Sequence, residues 1–329
     1  MCSRLFDPPI KTHLNLKRAR HWLGAFLLLG MLSACSTPQQ TLDIRNNPPN
    51  ITPVRELINT PFFPQTDYHC GPAALATVIQ FNDISATPEQ ILPLIYTPGL
   101  QGALQIEVVA ATRRFNLLPV KLDGKLESLL REIEAGNPVL VLQNLGLESI
   151  PFWHYAVVVG YDLDNQSIVL RSGTNKRLIR PFDNFERTWQ RGDYWALVIV
   201  PPERIPVTSS AENYLQAVIE LEQTGHTRPA NLAYSSAIKK WPENVLAYTG
   251  LANSAFAMGD YSLSEQGYQQ ALALSPDSHQ LWNNLAYAKA KLGKKEPSLD
   301  AIHRAIALAP DNQNYQESLI ELKQLLVAD

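Results

Sequence analysis

A period of 34 residues runs through the C-terminal third of this 329-residue chain. Gly225, Gly259 and Gly293 follow it, as do Ala237, Ala271 and Ala305, and Pro242, Pro276 and Pro310. Large aromatics, Tyr214, Tyr248 and Trp282, open each unit at matching places. An alanine-rich unit of this length holds two helices and their turns. One unit cannot bury its apolar face alone, so successive units must stack. Small Ala and Gly let the paired helices approach, the aromatics fill the gaps between units, and each Gly and Pro ends a helix. The period defines units 211–244, 245–278 and 279–312. Leu319, Leu322 and Leu326 then share one face of a further helix, which caps the apolar end of the stack.

The order helix, glycine turn, helix, proline stop resembles the tetratricopeptide repeat. The resemblance implies an all-α solenoid over 211–329 whose concave groove receives a protein partner. Pro201-Pro202 and the polar stretch 203–210 form a linker ahead of it.

The region before the linker reads differently. Its string FFPQTDYHCGPAALATVIQF, residues 62–81, puts Cys70 immediately before Gly71-Pro72 and a run of helix formers. Ala74, Leu75, Val78 and Ile79 have helical spacing, and Pro suits a first helical turn. The thiol therefore belongs at a helix N-terminus, where the dipole favours thiolate, the nucleophilic form. Gln65, five residues upstream, can turn its amide toward the same point, giving with the Cys70 N–H an oxyanion hole. Far downstream, His154 opens HYAVVVGYD, which reads as a buried strand. A cysteine at a helix end beside a histidine at a strand end can act as nucleophile and base.

The pair Q…CGPAAL and HYAVVVGYD resembles the bacteriocin-processing (double-glycine leader) peptidases and their stand-alone relatives, which are papain-like in fold. The likeness spans roughly residues 54–202. It implies Cys70 as nucleophile, His154 as general base and Gln65 as oxyanion residue. That family carries an Asp on the next strand to orient the histidine. Here the strand reads SIVLRSGTNKR, with Ser172 at the matching place and Asn175 also brought near His154 by the intervening turn. Both are candidate orienters. His69 adjoins Cys70 and points away from it. No HExxH, CxxC or GxxxxGK[ST] pattern occurs, so no metal or organic cofactor is implied.

The remaining elements alternate unevenly. Thr87-Pro88-Glu89-Gln90 is a capping box, residues 104–115 and 126–134 read as helices, and 139–143, 154–161, 167–171 and 194–200 as strands. Helices first and an antiparallel sheet afterwards make an α+β domain over 56–202.

The N-terminus is a targeting segment. Lys11, Lys17, Arg18 and Arg20 precede an apolar stretch, Trp22–Leu32, that is too short to span a bilayer comfortably. Leu32-Ser33-Ala34-Cys35 resembles the bacterial lipoprotein cleavage box, which implies a signal peptide over 1–34 and lipid on Cys35. With Ser36 following, the resemblance places the protein at the outer membrane, facing the periplasm. Residues 35–55 are polar and proline-rich and read as a flexible tether with a reach of roughly 25 Å. Without residues 1–34 the formal charge is about −7, which gives no electrostatic case for nucleic acid. Cys70 is then the one thiol free of lipid.

The expectation is a membrane-tethered papain-like cysteine peptidase that cleaves a peptide, isopeptide or other amide bond, with a repeat module for a partner. The alternative is a catalytically degenerate peptidase-like domain that serves as a peptide-binding or assembly lipoprotein. Ser172 in place of an acid motivates it.

Overall fold

The computed structural model describes residues 37–65, 69–97, 99 and 102–328. Cys35 and the targeting segment lie outside them. The N-terminal part is α+β. Seven antiparallel strands form one sheet: β1 (Val54–Glu56), β4 (Leu118–Lys121), β5 (Val139–Asn144), β6 (Trp153–Asp162), β7 (Ser167–Ser172), β8 (Asn175–Pro181) and β9 (Ala196–Val200). A short hairpin, β2 (Tyr96–Thr97) and β3 (Gly102–Ala103), stands apart. The order is β4-β9-β5-β6-β7-β8, with β1 pairing the last residues of β6. β6 is the hub: Trp153–Val158 pair with β5, and Gly160–Asp162 pair with β1.

Helix α2 (Cys70–Phe81) packs across β6. Gly71 through Ile79 are all buried, because CGPAALATVI is apolar on every side and such a helix belongs in a core. Helix α3 (Pro88–Ile95) begins with the expected capping box: Thr87 Oγ1 accepts from Gln90 N–H, and Thr87 N–H donates to Gln90 Oε1. Helices α4 (Gln105–Arg114) and α5 (Leu126–Glu134) follow. β8 and helix α6 (Phe182–Gln190) have no counterpart in the sequence reading. α6 buries Phe182, Phe185 and Trp189 against β5, β7 and β8.

The 35–55 segment departs from the flexible tether expected of it. Gln39–Asn46 is a helix, α1, docked between α5 and α6. Its cap residue is Pro38, which has no acceptor side chain. The buried carboxylate of Glu186 on α6 replaces one: it accepts from Gln40 N–H at 3.0 Å, Thr41 N–H at 2.6 Å and Thr41 Oγ1 at 2.5 Å. QQTLDIRN shows little amphipathic pattern, so this helix is held by a remote acceptor rather than by its own sequence.

The C-terminal part is the expected run of paired helices. α7 (Ala211–Gln223), α9 (Val245–Ala257) and α11 (His279–Lys291) begin 34 residues apart, as do α8 (Thr227–Lys240), α10 (Tyr261–Leu274) and α12 (Lys295–Leu308). α13 (Gln313–Ala328) caps the stack, packing on α11 and α12. Gly225, Gly259 and Gly293 sit between each pair with φ of 88°, 81° and 68°, a conformation that glycine adopts without strain.

The linker is not a free joint. Thr208 N–H and Oγ1 both donate to Glu132 on α5, at 2.7 and 2.6 Å, and Glu132 is fully buried. α7 packs on β4, and Arg113 on α4 pairs with Glu220 on α7. Tyr214, Val218 and Leu221 belong to one apolar core with the sheet, and that core continues to Leu251. A second core starts only at Ala252. The first repeat is thus built into the α+β unit, and the cores divide inside the second repeat. In an amphipathic helix Glu132 reads as a solvated position, so the sequence does not show this anchorage.

Candidate active site

Cys70 is the first residue of α2, as the Gly-Pro that follows it predicts. Its half-buried thiol accepts hydrogen bonds from the backbone N–H groups of Tyr155, Gly71 and Cys70 itself. Tyr155 follows His154 directly, so β6 brings the histidine to the mouth of α2. The Tyr155 ring packs beside Gly71 and its hydroxyl donates to Ala103 O at 3.2 Å, which fastens the β2–β3 hairpin next to the thiol.

Among the two candidate orienters, the His154 ring meets Ser172: Nε2 lies 2.8 Å from Ser172 Oγ. Asn175 faces Ser172 across the β7–β8 turn and is exposed. Gln65 joins the group through its backbone, with N–H donating to Gly173 O at 3.1 Å, one residue past Ser172. Its side-chain Oε1 is buried without a partner. Cys70, His154, Ser172 and Gln65 therefore converge, although 107 positions separate Gln65 from Ser172 in sequence.

Arg171, which no sequence motif marks, braces this arrangement. It is buried, and donates to Thr60 O at 3.4 Å, Ile58 O at 3.3 Å and Lys176 O at 2.6 Å. It ties the segment that leads to Gln65 onto the hairpin that carries Ser172. Its guanidinium lies 3.9 Å from Glu56, which also pairs with Arg177. The only hint in the sequence is a charged residue at the end of an apolar strand, SIVLR.

Electrostatically the site is neutral. Burial pushes the Cys70 thiol above its ordinary pKa, against the three backbone donors. The expected lowering at a helix N-terminus is outweighed, because desolvation of the thiolate is the larger effect. Burial also lowers the pKa of His154, so its imidazole is uncharged at neutral pH. In the tautomer whose Nε2–H donates to Ser172 Oγ, Nδ1 is the unprotonated nitrogen.

Residues 57–196 match the Peptidase_C39 like family. Residues 279–312 match the tetratricopeptide repeat. The matched segment carries the α+β peptidase-like domain, with Cys70, His154, Ser172 and Gln65 all inside it, and the helices beyond form the repeat module. No curated protein matches the chain. Among solved structures, a C39-like peptidase from Bacillus anthracis is 20% identical, covers 45% of this chain and 97% of its own, and superposes with a TM-score of 0.39. The first tetratricopeptide domain of the human RPAP3 protein is 20% identical over 36% of this chain and 93% of its own, at a TM-score of 0.34. MamA from Desulfovibrio magneticus is 19% identical over 36% and 69%, at 0.34.

Proposed function

We propose that the C39-like domain hydrolyses an amide bond in a peptide or protein, with Cys70 as nucleophile and His154 as base. The carrying observation is the convergence of the helix-end thiol, the His154–Ser172 pair and Gln65. Nδ1 of His154 takes the thiol proton as sulfur attacks the carbonyl carbon. Ser172 holds the ring through Nε2. The Cys70 N–H and the Gln65 amide steady the developing oxyanion. The leaving amine takes the proton back from the imidazolium, and water then hydrolyses the thioester. Because the resting pair is uncharged, the ion pair forms during attack rather than before it.

In this reading Cys35 carries a lipid that holds the protein at the outer membrane on its periplasmic side, and the repeats bring a protein partner to the domain. The same reading divides the chain into 1–34, 35–55, 56–202, 203–210 and 211–329. Hydrolysis of internally quenched peptides by the natural chain, absent in Cys70→Ser, is the test.

A second reading is favoured by two observations: Ser172 supplies no charge, and burial holds Cys70 as thiol. A domain that binds peptides without cleaving them has such a site. Saturable peptide binding with no hydrolysis, unchanged in Cys70→Ser, would select it.

A further inference from the structure

The loop between β5 and β6, residues 145–152, leads through Trp153, the first residue of β6, into His154. Its apolar side chains face outward: Leu145 is 45% exposed, Leu147 67%, Ile150 72%, Phe152 61% and Trp153 51%. Glu148 is its one charged residue. The backbone is closed on itself. Asn144 Oδ1 accepts from Gly146 N–H and Phe152 N–H, both at 2.9 Å, and Asn144 Nδ2 donates to Leu147 O at 3.3 Å. Leu145 N–H donates to Phe152 O and Ile150 N–H to Leu147 O. A Cβ at Gly146 would stand 2.4 Å from Ile150 O, so the knuckle needs glycine there. Backbone polar groups bonded inward and apolar side chains turned outward, with Glu148 and Ser149 exposed among them, suit contact with a medium that cannot hydrogen-bond. An exposed apolar patch of this kind on a protein surface marks contact with something.

The direction of α1 says what. Its C-terminal Arg45 donates to Gln166, in the β6–β7 turn, at 3.0 and 2.8 Å. Its N-terminal Gln40 and Thr41 bond Glu186 on α6. Past Glu186, Thr188 accepts from Gln143 and Arg191 donates to Asn144 O, at the end of β5 that pairs with His154 and Trp153. α1 therefore runs away from the active-site end, and its first residues, with Pro38 ahead of them, lie toward that end. Residues 36–38 separate Cys35 from α1 in sequence, and a chain of that length reaches at most about 14 Å.

We propose that the 145–153 knuckle is a lipid-contacting surface, and that the Cys70–His154 end of the domain faces the bilayer. The orientation rests on the reading that Cys35 is lipidated; contact between the knuckle and lipid does not. Aromatic residues at the lipid–water boundary fit Phe152 and Trp153. The substrate amide is then presented at the membrane surface, not in free solution.

The test uses the full chain with Cys2→Ser and Cys70→Ser, incubated with phosphatidylcholine liposomes. A fluorophore is attached at Ile150→Cys or, at the opposite end, at Asp164→Cys. Quenching by a spin-labelled lipid is read after subtracting the chain without an added cysteine, and the mass of the mature N-terminus is measured in parallel. The expected result is several-fold stronger quenching at position 150 than at 164. If that difference holds while Cys35 carries no lipid, the knuckle stands and the anchor reading fails. Quenching at 150 no stronger than at 164, with or without lipid on Cys35, overturns the proposal. So does a blue shift at 150 that appears with an apolar peptide and not with liposomes.

Discussion

Removing the carboxylate of Glu186 should release the N-terminal helix without unfolding the rest. In Glu186→Ala the N–H groups of Gln40 and Thr41 and the Thr41 hydroxyl lose their acceptor, and both Thr41 and Glu186 are buried. A buried donor left unpaired costs roughly 1–3 kcal/mol, and the lost bonds were to a charged group. Half-buried Gln40 regains water more easily than Thr41. The net cost is about 3–4 kcal/mol, in the range for breaking a buried charged contact from one side. It falls on α1, whose other ties are Ile44 in the core, the Gln40 bonds to Gly124 O and Leu126 N–H, and the exposed Arg45–Gln166 pair. Hydrogen exchange of the 40–46 amides measures it directly, and protection should fall on the order of 100- to 1000-fold while the α2 and β6 amides keep theirs. Glu186→Gln retains one acceptor oxygen and should lose about 1–2 kcal/mol. Unchanged protection of 40–46 in Glu186→Ala would refute the cap, and no protection of 40–46 in the natural chain would restore a free tether.

Three further outcomes follow from the contacts. Ending the chain at Val207 removes Tyr214, Val218 and Leu221 from the shared core and takes Thr208 from Glu132, so thermal stability should drop far more than when it ends at Ser278; equal melting of the two would contradict a shared core. His154 has a folded pKa below its ordinary value of 6.5, so the stability it contributes is present above 6.5 and lost as pH falls through the folded value. Urea titrations from pH 7 to pH 4 should therefore show the natural chain weakening relative to His154→Gln, and parallel curves would be the contrary result. Ser172→Ala should lower kcat with little change in KM, and Ser172→Asp should raise the His154 pKa seen by NMR, while Asn175→Ala leaves both unchanged; a larger loss in Asn175→Ala would reverse the assignment.

The sequence carries the parts of this architecture that repeat or that obey local rules. The 34-residue period places six helices, and Cys70-Gly71-Pro72 places the start of α2 to within one residue. Ser172 lies on the strand next to His154, so strand pairing alone narrows the orienter to two residues. Side-chain geometry then separates them, since the turn leaves Asn175 on the outside. What stays hidden depends on buried charged side chains whose partners lie far away in sequence. Glu186 makes a helix of QQTLDIRN, Glu132 fixes the linker, and Arg171 clamps Ile58 and Thr60. Each is a charged residue that composition assigns to solvent. β8 is hidden for another reason: it is an exposed edge strand, NKRLIRP, with no apolar alternation to reveal it.

The central claim is that Cys70 is a working nucleophile served by His154. Labelling by a peptidyl ketone probe, mapped by mass spectrometry on the native full-length chain, tests it most directly. The account predicts modification at Cys70 that is fast in the folded protein, slow after unfolding in urea, and slow in folded His154→Ala. A native rate no greater than that of the unfolded chain, or one indifferent to His154→Ala, would contradict it.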